Sequence, residues 1–268
     1  MGREIVDLKN ISFSYNGEPV LEDINLKIME NDFMAIIGPN GGGKTTLIKI
    51  ILGLIKPLKG NIKIMGEVPE KGRRHIGYLQ QQPDLDVRFP INVNDVVLMG
   101  RYKGVAHRYT SEDREAVRKT LDTIGISKLS SRHIGTLSGG QLQRVLIARA
   151  IVREPLLLLM DEPLASIDPE MQRSIYELFV KLRKKMAIVF VTHDIGAISI
   201  YIEKVACLNR KLFYHGPKEG SLGKLETTYG CPVEAIAHGV PHRVLKKHFE
   251  GPSGWSGNSK SEMHDRNI

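Results

Sequence analysis

Cysteine is nearly absent. Cys207 and Cys231 are the only two in 268 residues and form no CxxC pair, which excludes a disulfide framework. Long hydrophobic runs are missing as well: the longest uninterrupted aliphatic stretch, LLLLM at residues 156–160, has five residues, against the roughly 20 that a membrane-spanning helix requires. The opening residues MGREIVDLKN carry no apolar core of a secretory leader, so the sequence predicts a cytoplasmic chain without a span of its own. No run of five or six like charges occurs, although Lys and Arg outnumber Asp and Glu by 38 to 30, a net charge of +8. Charges so dispersed describe a solvated surface and do not by themselves indicate nucleic acid, anionic lipid or a phosphate ligand. Internal repeats are absent. The balance of 41% hydrophobic and 25% charged residues excludes collagen-like, coiled-coil and disordered classes for the chain as a whole. Its length suffices for one large domain or two small ones.

What is present is periodic. Ile11, Phe13 and Tyr15 alternate, the turn signal Asn16-Gly17 follows, and Ile24, Leu26 and Ile28 alternate again. Antiparallel strands are predicted there, continued by Ile62 and Ile64 after Gly60-Asn61. DFMAIIG reads as a short apolar strand running into glycines. Leu47, Ile48, Ile50, Ile51 and Leu54 mark the buried side of the helix that follows, with Pro57 beyond its end. Residues 84–152 read as mostly helical. Asn92 is placed to cap a helix carrying Val93, Val96 and Val97, and Thr110 with Asp113 resembles a capping box before Val117, Leu121 and Ile124, with Gly125 at that helix's end. Ser138 with Gln141 is a second box. Residues 156–160 and 187–191 are continuous apolar strands, the pattern of a parallel sheet buried on both faces. The predicted fold class is α/β.

The sequence GPNGGGKTT, residues 38–46, fits G-x-x-x-x-G-K-[ST]. By average residue usage such a match arises by chance in roughly one or two of every hundred chains this size, so context must decide. The strand before it and the helix after it supply that context. Glycines let the backbone wrap an oxyanion, and the helix adds its positive N-terminal end. Gly38, Asn40, Gly41, Gly43, Lys44, Thr45 and Thr46 are therefore the candidate triphosphate cradle, with Lys44 as the point charge and the Thr45 hydroxyl placed for Mg²⁺. A carboxylate at the end of a neighbouring buried strand completes such a site. LLLLMDEP supplies Asp161 for the metal and Glu162 for activating an attacking water.

Five further segments make the pattern specific. LSGGQ at residues 137–141 resembles the signature of ATP-binding cassette (ABC) proteins, and Tyr78-Leu79-Gln80-Gln81 resembles their Q-loop. THD, with His193, resembles the switch-histidine loop, SID before Pro169 the D-loop, and FSYNG, with Tyr15, the aromatic A-loop. All fall in the family's order between Tyr15 and Asp194. The resemblance implies a P-loop NTPase (RecA-like) core with an N-terminal antiparallel β-subdomain and an inserted α-helical signature subdomain. It also implies ATP and Mg²⁺ as ligands, with Thr45, Gln81 and Asp161 around the metal. Ser138 caps a helix, so its hydroxyl, the Gly140 N–H and the helix dipole make a second anion site, which in this family, with Gln141, meets the ATP of a second cassette packed head to tail. A single copy of each motif implies a two-fold homodimer. By the same resemblance Tyr15 stacks on adenine, Gln81 reaches Mg²⁺ and the water, His193 contacts the γ-phosphate and Asp168 works across the dimer. Gln80, Gln81 and Gln82 are consecutive, and Gln81 is taken because the family reads Tyr-x-x-Gln. On residues alone, Tyr15 fits a strand aromatic in the core as well as it fits stacking.

The interval from Thr46 to Leu137 is too short for the coiled-coil arm of soluble ABC ATPases that act on DNA or ribosomes, and no nucleic-acid recognition motif occurs. The resemblance therefore favours the ATPase subunit of a transporter, peripheral on the inner face of the membrane and partnered by a separate permease. FPINVNDVVLMGRY, residues 89–102, resembles ATPases of zinc and manganese uptake systems, which depend on an extracytoplasmic metal-binding protein. Iron-siderophore and cobalamin importers are the alternative. The expected organisation is an ATPase domain over 1–215 with the helical subdomain at about 84–152, an extension over 216–250, and a polar, disordered tail over 251–268. In the extension Cys231, His238, His242 and His248 are of metal-ligand type. Gly239 and Pro241 argue against a regular helix there, and scattered surface histidines account for the pattern more readily than a metal-sensing site does.

Overall fold

The computed structural model describes residues 2–81, 88–104, 108–164, 167–192, 202–218, 233–238 and 240–245. By contacts the chain divides into a unit ending at Cys231 and a unit beginning at Pro232.

Strands β1 (Glu4–Tyr15) and β2 (Glu18–Met29) form a hairpin whose two-residue turn, Asn16-Gly17, has positive φ at both positions. That turn twists with the strands it joins. A later strand, β4 (Lys59–Ile64), pairs antiparallel with the other edge of β1, giving the order β2-β1-β4. The second sheet is built on β3 (Phe33–Ile37), β5 (Ile76–Leu79), β6 (Leu157–Asp161), β7 (Ala187–Thr192), β8 (Lys204–Asn209) and β9 (Lys211–Pro217), in the order β5-β6-β7-β3-β8-β9. All pairs are parallel except β8 with β9. Every residue of β3, β6 and β7 is buried, as the unbroken apolar runs require when helices or a second sheet cover both faces. Helix α1 (Lys44–Ile51) enters a core shared by the two sheets, with Leu47, Ile48, Ile50 and Ile51 packed among Leu8, Ile24, Met34, Ile36, Leu159 and Val189. Beyond β4 lies the single turn α2 (Pro69–Gly72).

Helix α1 ends earlier than its apolar spacing suggests. Gly53 N–H reaches Ile50 O at 3.0 Å and Leu54 N–H reaches Lys49 O at 2.9 Å, the paired bonds of a Schellman motif, with Gly53 at φ 65°. Leu54 is consequently 60% exposed rather than buried.

The helical part consists of α3 (Val93–Met99), α4 (Ser111–Ile124) and α5 (Gly139–Ile151). Each begins at the residue its sequence marks. Asn92 accepts from Asp95 N–H at 2.9 Å, and both capping boxes, Thr110 with Asp113 and Ser138 with Gln141, are closed. Gly125 ends α4 at φ 76°. The buried Asp113 also accepts from Arg101 Nε at 2.8 Å, and Arg101 reaches the Val152 carbonyl as well, so one residue joins the starts or ends of all three helices. The Thr110 backbone N–H, and then the Arg101 guanidinium, hold the Asp113 carboxyl far below the usual carboxylate range. A depressed folded-state pKa stabilises in full above the unfolded value, about 3.9, and that contribution disappears as pH falls toward the folded value. Asp113→Asn is therefore expected to lower the melting temperature at pH 7, with the gap to wild type closing between about pH 4 and lower pH. Melting curves across that range check it. An undiminished gap at pH 3 would assign the loss to packing instead.

Helix α6 (Pro169–Leu182) follows the second acidic loop. At its start Asp168 accepts from Met171 N–H at 2.9 Å, with Pro169 at the beginning of the helix, a cap followed by the proline that a first helical turn tolerates. In the second unit, β10 (Val233–His238) and β11 (Val240–Leu245) pair antiparallel, Val233 opposite Leu245. His238 and His242 thus fall on strands, while Cys231 and His248, like residues 251–268, lie outside the described residues.

Candidate functional site

The ends of β3, β6 and β7 lie side by side. Ile37 pairs with Thr192, and Asp161 with Val191, so the loops leaving β3 and β6 flank the end of β7 at the carboxyl edge of the parallel sheet. Open α/β sheets bind ligands at that edge.

The β3–α1 loop is tightly held. A Cβ on Gly38 would stand 1.8 Å from the Leu208 carbonyl, so no larger residue fits between loop and β8. Gly43, at φ 92°, would put a Cβ 2.7 Å from both the Val20 carbonyl and a Leu21 methyl, which demands glycine on two counts. The Gly42 carbonyl accepts from Arg210 N–H at 3.0 Å, so the β8–β9 turn braces the loop from behind. Lys44, 7% exposed, donates to the Gly38 and Pro39 carbonyls at 2.8 Å each. Burial lowers its pKa despite the opposing charges of Glu162 and Asp161.

Across the cleft, Asp161 is 3% exposed and accepts from the Thr45 hydroxyl at 3.1 Å. Burial pushes its pKa up, with the Thr45 bond acting against the shift. Glu162 follows at φ 45°, a left-handed conformation that a non-glycine residue holds only when its surroundings impose it. Its amide donates to the Val191 carbonyl at 2.8 Å, and its Oε2 accepts from Gln81 Nε2 at 2.5 Å. Of the two glutamines of that run among the described residues, Gln81 is thus the one bonded to Glu162. Gln80 is exposed, and Gln82 lies outside the described residues.

These groups enclose a cleft of about 560 Å³, lined by Asn40, Gly41 and residues 43–46 together with Val20, Gln81 and Glu162. Val20 has no polar signal in the sequence; it enters because β2 runs against Gly43. Other candidates stand apart. Ser138, Gly140, Gln141 and Asp168 do not line this cleft. Ser138 is exposed at the start of α5, where the first-turn amides of Gly139 and Gly140 have no acceptor within the helix. Tyr15 is 45% exposed at the hairpin tip, its ring edge-on to Phe13 at 4.8 Å, so it is not a core aromatic. His193 directly follows Thr192 and lies outside the described residues.

A glycine loop opening a helix, with its lysine buried and a carboxylate pair opposite, defines a P-loop nucleotide-binding protein. Residues 21–165 match the ABC transporter family. The manganese transport system ATP-binding protein MntB of Bacillus subtilis is 39% identical over 84% of this chain and 92% of its own length. The zinc import ATP-binding protein ZnuC of Saccharophagus degradans is 40% identical over 82% of this chain and 81% of its own. Among solved structures, the ADP conformation of MJ1267, an ATP-binding cassette of an ABC transporter, superposes with a TM-score of 0.74 at 25% identity, covering 84% of this chain and 96% of that one. The chain belongs to the ABC transporter family, as one of its ATP-binding, ATP-hydrolysing subunits.

Proposed function

We propose that this chain is the ATPase of a metal-ion importer, of the zinc or manganese kind, working as a homodimer beneath a separate permease that an extracytoplasmic metal-binding protein supplies. No helix among the described residues is long and apolar enough to cross a membrane, which fits a peripheral subunit. The observation that carries the hydrolytic reading is the meeting of Lys44, Thr45, Asp161, Gln81 and Glu162 around one cleft. The cargo reading rests on the 89–102 segment and on relatives named for manganese and zinc. Those names favour it over the siderophore and cobalamin alternative.

Thr45 and Asp161 offer two hard oxygens, and the carboxylate is buried without an ion pair among the described residues. That donor set suits Mg²⁺, with Gln81 as a further oxygen ligand. Held there, the ion would neutralise charge developing on the phosphate oxygens. Lys44 turns from the loop carbonyls to the β- and γ-phosphates, and the 38–46 amides hold their oxygens. Tyr15, on the hairpin that also carries Val20, stacks on the adenine. The first turn of α5 (Ser138, Gly140, Gln141), with Ser138 exposed at its start, meets the partner's γ-phosphate, which agrees with its place outside this chain's own cleft. His193 contacts the γ-phosphate and Asp168 acts across the interface. Glu162 takes a proton from water as its oxygen attacks the γ-phosphorus; the bond to the β-phosphate oxygen breaks, releasing ADP and phosphate. Dimer closure and reopening drive the permease through the helical subdomain, about residues 84–152, within an ATPase domain of about residues 1–215.

The test is cellular uptake of zinc, manganese and ferrous iron with this chain and its permease, comparing wild type with Glu162→Gln. Loss of zinc or manganese uptake alone is the expected result. Unchanged metal uptake with ATPase activity intact in the wild type would overturn the cargo and leave the ATPase.

A further inference from the structure

Side chains of α5 and α6 converge on the short segment that joins Glu162 to α6. Gln143 Nε2 donates to the Pro163 carbonyl at 2.6 Å. Gln172 Nε2 donates to the carbonyls of Leu164 and Ile167 at 3.3 and 3.0 Å. Arg144, beside Gln143, ties α5 to Ser174 of α6 at 2.8 Å. The first turns of the two helices also touch, since a Cβ on Gly140 would stand 2.4 Å from the Met171 side chain. Gln143 does not line the nucleotide cleft.

The Pro163 carbonyl is one peptide beyond Glu162, whose φ of 45° needs its surroundings to hold it. Proline has no N–H with which to pin the turn itself. A carbonyl can be held only by a donor brought to it, and the Gln143 amide is that donor.

We infer that Gln143 is a positioning residue for hydrolysis, holding the Glu162–Pro163 turn so that the Glu162 carboxylate stays aimed into the cleft. The inference rests on the reading of Glu162 as the base. It has a consequence for the dimer. Gln143 lies five residues, about 7.5 Å of helix rise, beyond Ser138 on the same helix. A shift of α5 as its first turn engages the partner's nucleotide therefore reaches this chain's own base, so each ATP site senses the other.

Gln143→Met keeps the length of the side chain and removes the donor. It should lower kcat about 10- to 100-fold, the effect of a catalytic group displaced by about 1 Å, with the KM for ATP within about twofold of wild type. Placed on Glu162→Gln, it should leave ATP-dependent dimerisation, read by gel filtration, intact. Gln143→Glu adds a signature that a purely structural role lacks. The introduced carboxyl donates to the carbonyl only when protonated, so activity relative to wild type should rise as pH falls, while that of Gln143→Met stays flat. A wild-type kcat in Gln143→Met alongside an inactive Glu162→Gln overturns the inference. So does a KM that climbs as kcat falls, or a double variant that no longer dimerises, because either assigns Gln143 to binding or folding. Activity in Glu162→Gln overturns the base reading instead, and the inference with it.

Discussion

Glu162→Gln is expected to bind ATP with near wild-type affinity, accumulate as an ATP-bound dimer, and hydrolyse about 10²- to 10⁴-fold more slowly, the range set by removing a general base. The substitution is well matched to the site. Gln81 donates to Glu162 Oε2 at 2.5 Å, and the oxygen of the replacing amide accepts the same bond. The Glu162 backbone remains anchored by its amide on the Val191 carbonyl. Cleft shape and phosphate contacts are therefore kept, and the loss is confined to proton acceptance. Single-turnover hydrolysis together with gel filtration in ATP separates the two effects. Near-normal turnover would remove Glu162 from the role of base.

Lys44→Ala should fail one step earlier, at binding. The ammonium is almost fully enclosed and makes two charge-assisted bonds at 2.8 Å inside the loop. Transferred to phosphate, such bonds contribute about 1.5–3 kcal/mol each, and every 1.4 kcal/mol is about tenfold in affinity. The dissociation constant for ATP, measured with a fluorescent analogue, should rise about 10²-fold or more. The two loop carbonyls are also left without their donor, so the empty loop loosens. An unchanged dissociation constant would show that the glycine-loop amides bind the phosphates unaided.

Local chemistry was legible wherever a short segment dictates its own conformation. The caps at Asn92, Thr110 and Ser138 and the stop at Gly125 were readable because each satisfies backbone groups within one turn of itself. The Asn16-Gly17 turn and the buried runs of β3, β6 and β7 belong to the same class. Leu54 misled because its 3.6-residue spacing continued past a terminator, Gly53, that outweighs it. Strands β8 and β9 carry ordinary apolar patterns and no motif chemistry, and only pairing with distant neighbours marks them.

Residue types alone determined that a phosphate is held here, since glycines opening a helix, a lysine and a strand-end carboxylate pair leave few other uses for that combination. Tertiary structure decided which residues meet. Thr45 and Asp161 are 116 positions apart, and Gln81 and Glu162 are 81 apart; they come together because the parallel sheet brings its carboxyl ends to one edge. Val20, the Arg210 amide and Gln143 were invisible beforehand for the same reason. Each acts through a backbone or packing contact with a segment far away in the chain, and no local pattern encodes such a contact.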